Sequence, residues 1–353
     1  MVIIVDVMGG DNAPEETVKG ACEASREYDA KIIMVGDSQR IAEVAKKCSL
    51  DLDGIEIVDA ASVIEMTDSP MAVVREKSDS SMNVGLTLLS QGKGDAFVST
   101  GNTGALFTGA TLIARKIKGV QRAAIAAVLP LENPTLLVDM GANVQVDVDS
   151  LEQFAIMGSA YMKKFYGIDS PRVGLLNNGS EDTKGTQLQI EANARLSQLE
   201  EINYVGNVEG NSVAMGICDV VVTDGFTGNI MLKSIEGMGK LISKNLNRLF
   251  RSSPISALAY LLVRGRFRKF KKKFDTREHG GAPLLGISKP VIKAHGSSDA
   301  KAFKNAIRQA IFFAQNDVNE QIMSEMTTYS ARRKAIRAAQ RAAKAQSELE
   351  VTV

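Results

Sequence analysis

A chain of 353 residues with 44% hydrophobic content is long enough to bury a large core, as one α/β domain or as two lobes. Its 42 basic and 41 acidic residues nearly cancel, which excludes a molecule that binds nucleic acid or another polyanion through its overall charge. Three widely spaced cysteines, Cys22, Cys48 and Cys218, exclude a disulfide framework and a cysteine-rich zinc site and fit a reducing cytoplasm.

The opening apolar run, Val2 to Val7, leads into Gly9 and Gly10 without a basic segment or cleavage site, so no export signal is expected. Short β-branched runs then recur: KIIMV from Lys31, IEIV from Ile55, DAFVST from Asp95, TLLVDM from Thr135, VGLL from Val173, NYVG from Asn203 and DVVVTD from Asp219. Helix-length segments separate them, which predicts βαβ units and a mainly parallel sheet. From about Gly237 to Phe274 the pattern is helical without a strand, read as a helical hairpin (237–274) inserted in a single α/β body spanning 1–353. The segment 331–353 begins with six basic residues, no acid and many alanines up to Gln346, and predicts a solvated basic helix.

Ligands of parallel sheets gather where strands end and helix N-termini present free N–H groups. Here Ser99, Gly101, Asn102, Thr103 and Gly104 follow one predicted strand, Asn143 follows the next, NNGSEDTKG (177–185) another, and GFTGN with Gly228 a fourth. Each loop alone reads equally as a helix cap or an anion site. Four of them after four strands are expected to converge on one sheet edge. None matches a dinucleotide or Walker loop, which favours phosphate or a phosphopantetheine thioester over a nucleotide.

Lys184 is either a surface lysine or, against the helix dipole, the partner of a bound anion. Asn229 either caps a helix or donates to an oxyanion. His279 and His295 are both loop histidines outside metal-ligand spacing, and His295, ahead of Gly296, Ser297 and Ser298, has the stronger functional claim. No nucleophile elbow is present, and Cys48 is a poor candidate nucleophile.

Taken together, MGGDNAPE, STGNTGA, DMGAN, NNGSEDTKG, NVEGN, DGFTGN, GAPLLG and KAHGSS resemble the motifs of the phosphate acyltransferase family of bacterial phospholipid synthesis, PlsX. The resemblance spans nearly the whole chain. It implies a three-layer α/β/α fold similar to the isocitrate dehydrogenase and phosphotransacetylase group, a homodimer, and no metal or nucleotide cofactor. It further implies conversion of acyl carrier protein thioester and inorganic phosphate to acyl phosphate, with Lys184 and Asn229 carrying catalysis. Alternatives are a phosphotransacetylase-like enzyme using coenzyme A thioesters and a membrane-surface scaffold.

The apolar stretch containing Leu258, Leu261 and Leu262 runs into seven basic residues between Arg264 and Lys273, with Phe267 and Phe270 among them. Three readings remain: a dimer interface, a reversible contact of an otherwise cytoplasmic protein with anionic membrane through the leucines and Lys271, Lys272 and Lys273, or a docking surface for acidic acyl carrier protein.

Overall fold

The β-branched runs form strands because alternate side chains enter cores on both faces of one sheet. The computed structural model describes the backbone of residues 1–131, 133–273 and 280–351, and their side chains other than those of 268–273, 340 and 342–351. In chain order the first elements are β1 (Val2–Asp6), α1 (Glu15–Glu27), β2 (Lys31–Gly36), α2 (Ser38–Cys48), β3 (Glu56–Asp59), α3 (Ser81–Ser90), β4 (Ala96–Ser99) and α4 (Thr103–Gly109). The middle of the chain forms β5 (Ala124–Leu129), β6 (Thr135–Val138), α5 (Val148–Tyr166), β7 (Arg172–Leu176), α6 (Gln187–Leu196), β8 (Asn203–Val208), α7 (Gly210–Ala214) and β9 (Val220–Val222). The last part comprises α8 (Gly225–Phe250), α9 (Pro254–Lys273), β10 (Ala282–Leu285), β11 (Val291–Lys293), α10 (Ala300–Gln315) and α11 (Val318–Val351).

The strands make one eleven-stranded sheet, ordered β3-β2-β1-β4-β11-β10-β5-β6-β9-β7-β8. Pairing is parallel from β3 to β11 and from β6 to β8. Between these halves lie three antiparallel steps, β11 to β10, β10 to β5 and β5 to β6. An odd number of reversals makes the two halves run in opposite directions. The loops after β4 and after β6, β7 and β9 therefore leave opposite sheet edges, which corrects the expectation that all four converge on one.

What unites three of them, the loops after β4, β6 and β9, is a face. One face is covered continuously by α1, α5, α6, α10 and α11, around Phe154, Tyr161 and Phe303. The other carries two separate cores, one under α3 and α4 with Phe97 and Leu86, the other under α7 and α8 with Val213 and Leu232. This is the three-layer arrangement read from the motifs, with a gap in one of its helical layers.

Helix α8 runs unbroken from its Asp224 cap, so the expected hairpin start at Gly237 lies inside it. α9 folds back onto it through a cluster of Phe250, Tyr260 and Phe267, with ring centroids 5.2 to 5.8 Å apart. Phe267 is thus buried within the hairpin and is not an unpartnered apolar group. The basic helix also differs from expectation, because Arg332, Arg333 and Arg337 pair with Glu201 and Asp149 and are not simply solvated.

Candidate active site

Two buried aspartates shape the loops around the gap. At the end of β1, Asp6 Oδ1 accepts from the N–H of Met8 (3.1 Å), the N–H of Gly9 (3.2 Å) and the Ser81 hydroxyl (2.7 Å), while Oδ2 accepts from Ser99 Oγ (2.7 Å). The loop after β1 and the loop after β4 are thereby held together, with Thr100 donating to the Gly9 carbonyl. Asn102 caps α4 by accepting from the Ala105 N–H at 3.1 Å, and its amide donates to the carbonyls of Met66 and Asp68, also at 3.1 Å. Gly104 packs against Pro70, and Gly101 against Met82.

In the other half Asp139 follows β6. Its carboxylate accepts from the N–H groups of Ile125 (3.1 Å), Gly141 and Ala142 (3.2 Å each) and Asn143 (2.7 Å), and from the Asn143 amide (2.9 Å). Burial raises the Asp139 carboxyl above its usual value even against these donors. The second donor of the Asn143 amide goes to the Ala123 carbonyl at 2.8 Å. Helix α8 is pressed onto this loop: a Cβ on Gly228 would stand 1.9 Å from the Asp139 carbonyl oxygen, so only glycine permits the approach.

The gap is a cavity of about 460 Å³. Ile125 and Ala127, two apart on β5 and so on one face, form its floor with Ala282 of β10. Asn229, Leu232, Lys233 and Glu236, at helical spacing on α8, make one wall, and Lys293 at the end of β11 makes another with Ala294, His295 and Gly296. Asp11, Met66 and Thr103 reach it from the first half, and Val128, Pro130 and Met140 extend the apolar part. Lys233 pairs with Glu236 at 2.9 Å.

His295 Nδ1 accepts from the Ser297 N–H at 3.2 Å, which assigns the ring proton to Nε2. Burial, with the charges of Lys233 and Lys293, holds this imidazole below its usual range and keeps it neutral at pH 7. A neutral Nε2–H and the Asn229 carboxamide are donors suited to a carbonyl oxygen that gains charge.

Of the residues singled out in the sequence, Thr103, Asn229 and His295 line one cavity. Ser99, Gly101, Asn102, Gly104, Asn143 and Gly228 stand behind it, shaping the loops through the contacts above. Lys184 lies elsewhere, exposed in the loop after β7, where its N–H donates to the Glu181 carbonyl and its own carbonyl accepts from Asn177. Leu258, Leu261 and Leu262 are exposed on α9, whereas the side chains of Lys271, Lys272 and Lys273, and all of His279, lie outside the described residues. Lys293, Lys233 and Asp11 line the cavity although the motifs did not mark them as site residues. The available signals were that Asp11 lies within MGGDNAPE and that Lys293, ending an apolar run, opens KAHGSS two residues before the histidine. Among the described residues no group of three or more His, Cys, Asp or Glu side chains gathers as a metal site would.

The fold is similar to that of two phosphotransacetylases of known structure. A phosphotransacetylase from Streptococcus pyogenes superposes with a TM-score of 0.58 at 19% identity, covering 89% of this chain and 94% of that one. The EutD phosphotransacetylase of Staphylococcus aureus gives 0.56 at 18% identity, covering 92% and 94%. At such identities the likeness concerns the fold alone. The sequence is more telling: the family model "Fatty acid synthesis protein" matches residues 1–321. Phosphate acyltransferases of Thermoanaerobacter pseudethanolicus and Fusobacterium nucleatum are 45% and 46% identical over 92% of the chain, covering 97% and 99% of those proteins. The chain belongs to this family, PlsX, and is a phosphate acyltransferase.

Proposed function

We propose that the enzyme moves a fatty acyl group from the thioester of acyl carrier protein to inorganic phosphate, feeding phospholipid synthesis. A phosphate oxygen attacks the thioester carbonyl, the new C–O bond forms as the C–S bond breaks, and the carrier leaves as its thiolate to take up a proton. Phosphate near neutral pH is anionic enough to attack without an activated protein nucleophile, so both substrates would meet in one ternary complex. The observation that carries this reading is the cavity itself, with an apolar floor for an acyl chain and the donors of Asn229 and His295 at its polar wall. Lys184 would join from the loop after β7, at the same sheet edge as the loop bearing Asn229, because β9 and β7 are parallel neighbours.

The hairpin of α8 and α9 supports reversible contact with anionic membrane. Leu258 and Leu262 are 62% and 82% exposed, and the basic sequence through Lys271, Lys272 and Lys273 follows. No helix among the described residues is long and apolar enough to cross a bilayer. A homodimer would use the exposed apolar face of α8 at Phe226, Ile230, Met238 and Leu241.

The decisive assay offers radiolabelled phosphate with the thioester of either acyl carrier protein or coenzyme A and counts acid-labile acyl phosphate. Label incorporated with the carrier thioester is the expected result. Incorporation with coenzyme A alone would move the enzyme to phosphotransacetylase chemistry, and none with either would leave a scaffold.

A further inference from the structure

Lys293 closes the short strand β11 beside β4, and only 7% of it is exposed. Its ammonium donates to the Thr100 carbonyl at 3.2 Å and to the Ala294 carbonyl. Among the described residues its hydrogen-bond partners are these neutral carbonyls and not carboxylates. An ammonium has three donors, so one remains, and the residue lines the cavity. A buried charge without a contacting carboxylate is unfavourable, and a site that retains one is suited to a ligand bringing the opposite charge. The titratable groups facing Lys293 are Asp6, Asp11 and His295, and His295 in turn faces Lys233, Glu236 and Lys240 of α8. Burial pushes the ammonium down to about 8, with Asp6 and Asp11 opposing the shift. Lys233, the other lysine of the lining, is already paired with Glu236.

We propose that Lys293 holds the phosphate co-substrate, receiving the anion on its free N–H at the polar wall of the cavity, across from Asn229. The proposal rests on phosphate being the acyl acceptor and adds where it binds. The bound anion supplies the charge that the two carbonyls do not. Its attacking oxygen then lies on the side of the cavity facing the donors that receive the oxyanion.

The test measures the KM for phosphate and for the acyl thioester separately, from pH 7 to 9.5, in wild type, Lys293→Met and Lys293→Gln. Loss of a hydrogen bond to a charged group predicts a phosphate KM raised at least about tenfold, with the thioester KM little changed. In wild type the phosphate KM should climb as the ammonium loses its proton, and that dependence should vanish in both variants. A phosphate KM that is unchanged in the variants, or flat with pH in wild type, overturns the proposal. The wild-type profile decides the matter even where the variants do not fold. If wild type makes no acyl phosphate from any thioester, the acceptor assignment has failed. Binding is then read from melting temperature in inorganic phosphate. Stabilisation of wild type but not of Lys293→Met keeps the site, and equal stabilisation of both, or of neither, removes it.

Discussion

The carboxamide of Asn229 reaches the cavity from the first turn of α8, and that turn can lie on the Asp139 loop only because position 228 lacks a Cβ. Replacing Asn229 with Ala should leave the melting temperature nearly unchanged and lower turnover roughly 100-fold, the scale of losing one oxyanion donor. Lys184→Ala is expected to do the same, and because Lys184 is exposed, near-normal turnover in that variant alone would withdraw it from the reaction. Cys48→Ser should retain full turnover. The other two thiols are buried, and burial pushes Cys218 up to about 12, which suits core residues and not an acyl acceptor. Asn229, His295 and Thr103 were legible in the sequence because they stand beside glycines in polar loops. Asn102 and Asn143 looked equivalent there, yet the Asn102 amide is occupied by backbone carbonyls and the Asn143 amide by the Ala123 carbonyl and the Asp139 carboxylate. Lys293 was passed over because a lysine that ends an apolar run ordinarily points to water, and its burial depends on chain segments nearly 200 residues away, as its bond to Thr100 shows.

At the scale of elements, the long helix and its return partner are the clearest independent unit of behaviour. The Phe250, Tyr260 and Phe267 cluster fixes α9 against α8, which leaves the other side of α9, with Leu258, Leu261 and Leu262, facing outward. Changing Leu258 and Leu261 together to Glu should abolish sedimentation with anionic vesicles while sparing activity on soluble substrates. Normal sedimentation of that double variant would reject membrane contact, and neutralising Lys271, Lys272 and Lys273 would favour carrier docking if it raised only the KM for the carrier thioester. Eight strands were readable from their β-branched runs. β5, β10 and β11 were not, since AIAAVL is rich in alanine and APLL and VIK are too short to show a period. These are the strands that carry the antiparallel steps and supply the cavity floor and Lys293.

For the molecule as a whole, α11 is fastened to α5 by charge. Arg195 of α6 and Arg333 and Arg337 of α11 all pair with Asp149, and Tyr329 donates to Glu152 at 2.6 Å. Burial alone would raise the Asp149 carboxyl, but the hydrogen bond from Arg195 and the charges of Arg333 and Arg337 hold it below the ordinary carboxylate range. A folded value lowered in this way adds stability that is present above the unfolded value near 4 and is lost as the pH falls through the folded one. Asp149→Asn should therefore cost roughly 1 to 3 kcal/mol at neutral pH and should make the decline in melting temperature between pH 5 and 3 shallower. Calorimetry across that range would show it, and an unchanged acid profile would mean that α11 is held by its apolar contacts. The eight β-branched strands and the helices between them, the glycine-lined loops and membership of the family were determined by the sequence alone, because periodicity and turn chemistry are local. Only the tertiary structure decided that the sheet reverses at its centre, that the loops after β4, β6 and β9 meet across a face and not along an edge, and that Lys293 is buried at the cavity while Lys184 is not, because strand pairing and burial are set by segments far apart in the chain.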